Sequence, residues 1–145
     1  MAVLQSSYAA GIASAVAGLI ANMETQNTIT RLCEDTTIGF GKACFQGTAD
    51  NEVTATASAA FVGISVIDTT LENSIADVYA EGDNMGILNK GVIWVVAGDD
   101  VAAGEAVYVD GDGKFVESES GATELPNVVF DSSGAADALV KIRLR

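Results

Sequence analysis

Four groupings of side chains in this 145-residue sequence could do chemistry, and each fails on its spacing. Asp110, Asp112 and Glu117 invite a calcium loop. An EF-hand loop starting at Asp110 needs Asp or Asn at 114, glycine at 115 and glutamate at 121, where this chain has Lys114, Phe115 and Gly121. Asp99 and Asp100, beside Gly98, could form a carboxylate pair for acid/base work, but no orienting base accompanies them and they read as a solvated turn. Gly39, Gly41 and Lys42 (GFGK) lack the spacing of either glycine-rich phosphate-binding motif and read as turn and strand-start positions. Cys33 and Cys44 fit no CxxC or zinc pattern. They are expected to be reduced, half-buried strand residues of a protein made in the cytoplasm.

Histidine is absent altogether, which removes the Ser/His/Asp relay, the Cys/His pair and imidazole metal ligands. The expectation is therefore no catalytic residue, no metal site and no cofactor. Twenty acidic side chains against seven basic ones give a net charge of -13. The imbalance is uneven: residues 1–45 sum to -1, residues 46–140 to -15, and residues 141–145 to +3. Most of this surface repels polyphosphate, so nucleic acid is excluded as a partner. An apolar fraction of 49% is too high for a disordered acidic chain and implies a packed core.

Residues 1–23 carry no charged side chain, and Tyr8 to Ile20 (YAAGIASAVAGLI) is almost wholly small and apolar. No Lys or Arg occurs in the first thirty residues, against the basic start of a secretory signal. The apolar run is too short and too rich in Ala, Gly and Ser for a membrane span. What remains is an arm, residues 1–27, that must pack on something, either its own domain or a neighbouring subunit.

From residue 28 to 145, short runs of Val, Ile, Phe and Thr recur between glycine and aspartate punctuation. The pattern predicts an all-β fold, mainly antiparallel: a single compact β-sandwich or β-barrel domain behind an extended N-terminal arm. Phe61 to Ile67 reads as a core strand with Val62, Ile64 and Val66 on one face and Phe61 and Ile67 on the other. Asp83 to Leu88 and Val92 to Ala97 read as a hairpin turning at Asn89, Lys90 and Gly91, with Trp94 anchoring the core. Ala106 to Val109 and Lys114 to Glu117 form a second hairpin around Asp110–Gly113. Glu117 to Asn127, with the single proline Pro126, reads as an exposed loop, and Val128 to Phe130 resumes the sheet. The last strand alternates cleanly, Val140, Ile142 and Leu144 on one face and Lys141, Arg143 and Arg145 on the other. That basic stripe either offsets nearby carboxylates within the sheet or faces an acidic partner.

The segments Ile38 to Gly47 (IGFGKACFQG), Phe61 to Leu71 (FVGISVIDTTL), Glu81 to Gly98 (EGDNMGILNKGVIWVVAG), Ala102 to Val116 (AAGEAVYVDGDGKFV) and Asn127 to Leu144 resemble, in order and spacing, the structural cement or capsid decoration proteins of tailed bacteriophages. The likeness covers about residues 28–145; the long Ala/Gly-rich start departs from it. It implies a non-enzymatic, β-rich module on the outer surface of the virion capsid, made in the host cytoplasm. Such a module bridges neighbouring copies of the phage major capsid protein and associates with itself as a homodimer or homotrimer, without nucleic acid or membrane as partner. Tyr8, Ile12, Val16, Leu19 and Ile20 of the arm, with Lys141, Arg143 and Arg145, are the expected partner-binding residues. Two alternatives stay open: another phage structural module, of tail or fibre, and a soluble ligand-binding β-barrel.

Overall fold

The computed structural model describes residues 15–72 and 77–145. Its eleven strands are β1 (Asn27–Cys33), β2 (Thr37–Gly39), β3 (Ala43–Gln46), β4 (Glu52–Thr54), β5 (Phe61–Ser65), β6 (Val78–Ala80), β7 (Asn84–Val96), β8 (Ala106–Val109), β9 (Phe115–Val116), β10 (Thr123–Phe130) and β11 (Leu139–Leu144). The fold is all-β, as the punctuation of the sequence predicts.

Nine strands form one sheet in the order β1-β4-β3-β5-β7-β11-β10-β8-β9, and an additional β1–β7 pairing closes the first five into a barrel. Leu88 shows the closure directly, since it is paired with Thr28 of β1 on one edge and with Ile64 of β5 on the other. All pairings in the large sheet are antiparallel except β1–β4. The short pair β2–β6 forms a separate two-stranded sheet.

The core divides accordingly. Cys33, Cys44, Val53, Met85 and Ile87, joined by partly buried Ile29 and Val62, come from all five barrel strands and pack with Ile38, Phe40 and Tyr79. A second cluster lies on the opposite face of β3, β5 and β7, where Phe45, Ile64 and Leu88 meet Ile93, Val95, Val107, Phe115, Phe130, Val140 and Ile142. Cys33 and Cys44 are fully buried free thiols, more deeply placed than the half-buried sites expected of them.

Several expectations are corrected. Residues 83–97 do not fold back: β7 runs continuously through Asn89, Lys90 and Gly91. Gly91 does have positive φ, +130°, but it marks the point where the strand leaves the barrel and enters the second half of the sheet, rather than a turn. Both edges of β7 are paired there by β1, β5 and β11, and those long-range ladders hold an extended path that the local Asn-Lys-Gly signal would bend. Trp94 is half-exposed on the outer face, because the inward positions are Ile93 and Val95. In β5, Val62 faces the barrel cluster while Ile64 and Val66 face the other, since a register shift opposite Cys44 and Phe45 breaks the alternation. The expected exposed loop is confined to residues 117–122, as β10 begins at Thr123. Pro126 is tolerated because the ladder to β8 is interrupted between Glu124 and Val129, where no proline N–H is required. The 106–117 hairpin and the alternation of β11 stand as read.

Candidate functional site

The arm is bridged to the edge of β7. Beyond the barrel, the β5-side edge of β7 is open, and the arm fills it: Gly18 N–H donates to Trp94 O at 2.8 Å, Trp94 N–H to Leu19 O at 2.9 Å and Ala21 N–H to Val92 O at 2.9 Å. Ile20 pairs with Ile93 as an antiparallel bridge and turns its side chain into the second core cluster. The segment is seated by close backbone contact. Gly18 O accepts from Ile67 N–H at 2.9 Å, and a Cβ on Gly41 would lie 2.7 Å from the Gly18 nitrogen. The buried Ser65 hydroxyl holds the opposing turn in place, donating to Gly39 O at 2.7 Å and accepting from Lys42 N–H at 2.9 Å. The chain then crosses β7 at Gly91, where a Cβ would meet Gln26 at 3.1 Å, and continues as β1 on the other edge.

This register brings the arm and the basic strand onto one surface. Leu19 lies opposite Trp94, and Trp94 is paired with Lys141, so the three form a row across the outer face of the sheet. The Lys141 ammonium sits 5.7 Å from the Trp94 ring centroid, within cation–π range. In the next row, Val92 is paired with Arg143 and Arg143 with Val129. Arg143 Nη2 donates to Asp131 Oδ1 at 2.9 Å and to Glu24 Oε1 at 3.0 Å, tying the arm's first charged residue to the basic strand. The stripe thus does partly offset carboxylates of its own chain.

Of the expected partner-binding residues, Tyr8 and Ile12 lie outside the described residues. Val16 and Leu19 are exposed, at 50% and 40%, while Ile20 points inward. Lys141 and Arg143 are half-buried and Arg145 is exposed. Among the described residues the exposed large hydrophobic side chains are Val16, Leu19 and the wholly exposed Met23, all within the arm. Met23, Trp94 and Lys90 are not among the partner-binding residues expected from the sequence. Met23 could have been found as the last apolar residue before Glu24; Trp94 and Lys90 were hidden by the mistaken hairpin.

Elsewhere the surface offers little chemistry. No group of three or more acidic or cysteine side chains placed to hold a metal occurs among the described residues. Asp99 and Asp100 lie in an exposed turn, as read, with Asp100 N–H bonded to Asp99 Oδ1 at 2.8 Å. Asp110 organises its own hairpin turn by accepting from Asp112 N–H and Lys114 N–H, both at 2.9 Å. Lys114 pairs with Asp137, which raises its pKa. Gly39 ends β2, Gly41 occupies the turn with φ +69°, and Lys42 precedes β3.

Comparison with known proteins fits this picture. The family described as structural cement protein (E217 gp24/Pam3 gp6) matches residues 4–145. Among solved structures, a chain from the capsid of Myoviridae phage XM1 superposes with a TM-score of 0.76 at 20% identity, covering 96% of this chain and 95% of that one. The N base of head fiber gp8.5 from bacteriophage phi29 superposes with a TM-score of 0.54 at 14% identity, covering 83% of this chain and 95% of that one. Comparison with curated proteins gives no match. With almost the whole chain matched, the protein belongs to the phage structural cement family, a group of virion structural proteins rather than enzymes.

Proposed function

We propose that the protein decorates the outside of the mature icosahedral capsid, where it bridges neighbouring major capsid subunits and stabilises the shell. In this reading residues 28–145 form the module and residues 1–27 an arm leading into it. The observation that carries the reading is the shared outer face of the arm, β7 and β11: exposed Leu19 lies in one row with Trp94 and Lys141, with Arg143 in the next row, on a chain of net charge -13 whose other exposed large apolar side chains among the described residues, Val16 and Met23, belong to the same arm. An apolar strip rimmed by charge of the minority sign is the composition of a specific protein contact.

The mechanism is linkage. A module that binds only the expanded lattice lowers the free energy of that state and not of the ruptured shell. Contacts of micromolar to nanomolar strength contribute about 8 to 12 kcal/mol each, and many copies around a closed shell act together. Self-association as a dimer or trimer would let one unit span several subunits.

Cosedimentation with purified, genome-free shells tests the reading. The wild-type chain is expected to saturate the shells, and Val16→Glu/Leu19→Glu to lose most of that binding while keeping its melting temperature. Failure of the wild type to bind expanded shells would end the proposal.

A second reading, a base module for a head fibre, is favoured by the phi29 likeness. Binding to tails or isolated fibres in preference to shells would select it. A ligand-binding barrel is disfavoured because the barrel is filled by Cys44, Met85, Ile87 and Tyr79.

A further inference from the structure

Beside the shared face lies an open cleft of about 620 Å³, lined by Glu24, Thr25, Lys90, Gly91, Arg143, Leu144 and Arg145. Three of the seven basic residues of the whole chain converge there, from the middle of β7 and the end of β11. They are far apart in sequence; only the unbroken course of β7 past Gly91 brings Lys90 next to the C-terminal strand.

We infer that this cleft is the subsite for an acidic, extended peptide segment of the coat protein, a reading that rests on the proposed decoration function and names the chemistry of its partner. The cleft already displays its preference, since Arg143 pairs through Nη2 with two carboxylates of its own chain, Glu24 and Asp131. Lys90 and Arg145 are exposed and have no carboxylate partner among the described residues. They are the vacant positions for incoming carboxylates, next to the paired Gly91 and Leu144, which also line the cleft. A cleft open to solvent suits a chain segment more than an enclosed small molecule. On a surface otherwise acidic, it is also where an acidic segment is attracted rather than repelled.

Two measurements test this. In shell binding, Lys90→Gln/Arg145→Gln is expected to weaken affinity about tenfold or more and to flatten its dependence on NaCl. Ser118→Glu/Ser120→Glu, an equal charge change in the exposed 117–122 loop outside the cleft, should bind as wild type does. Wild-type binding that Lys90→Gln/Arg145→Gln leaves unchanged would overturn the inference and leave the decoration reading standing. Independently of shells, titration of the full chain with hexaglutamate should shift the amide resonances of Lys90, Gly91, Leu144 and Arg145. No shift at those amides, or equal shifts with tripolyphosphate showing a general anion site, would overturn it even where shells do bind.

Discussion

Trp94 and Leu19 are antiparallel neighbours, the Trp94 amide donating to the Leu19 carbonyl at 2.9 Å, although one belongs to the central strand and the other to the uncharged stretch 1–23 of the arm. This bond, with its companions at Gly18 and Ala21, makes the arm's root part of the sheet. It also places the single tryptophan between an exposed leucine and Lys141, on the face proposed to dock. The consequences can be measured one by one.

Trp94 should report docking. In the free protein its half-exposed ring is open to acrylamide quenching. On shells, quenching should fall about twofold or more as the face is covered and water is excluded. Unchanged quenching in a saturated complex would place the contact elsewhere.

Gly18 and Gly41 should be the least replaceable residues of the arm's seat. Gly18 has φ +87°, and its Cβ would approach Phe40 Cβ to 2.9 Å. Gly18→Ala combines positive-φ strain with a steric clash and is expected to cost about 2 kcal/mol, read as a lower urea midpoint. Arm amides 18–21 should then exchange hydrogen faster than the barrel amides.

Arg143→Ala should destabilise more than an ordinary surface change. It leaves Asp131 and Glu24 close together without their shared cation. The expected loss is about 1 kcal/mol. Because the Arg143–Glu24 pair is partly exposed, a double-mutant cycle with Glu24→Gln should return a coupling below about 1 kcal/mol that shrinks further in high salt.

Alkaline pH should unfold the protein through its thiols. Burial, with help from the Asp35 charge, pushes Cys33 from 9.0 up to about 11. Burial, then the neighbouring Cys33 and Asp35, pushes Cys44 from 9.0 up to about 12. A folded pKa above the unfolded one means that this stability is complete below pH 9 and is lost as pH rises toward 11 and 12. Melting temperature should therefore fall steeply above pH 9, less so in Cys44→Ala. At pH 8 both thiols should react with a disulfide reagent only as fast as the barrel opens.

The sequence by itself determined the class of the protein. Absent histidine removed imidazole-based catalysis, the candidate motifs failed on their spacing, and turn punctuation indicated β structure. The strict alternation from Val140 to Arg145 and the Asp110–Gly113 turn were legible because both signals are local: a period of two and a loop of four residues are complete within their own segments. Which way the chain goes at Asn89–Gly91 is decided by β1, β5 and β11 pairing with both edges of β7, and those partners lie up to 63 residues away in sequence. The same pairing decided which face Trp94 occupies, that Leu19 and Lys141 share it, and that Lys90 meets Arg143 and Arg145 at one cleft. Residue types announce what a surface can attract, but only the closure of distant strand edges sets which of them stand side by side.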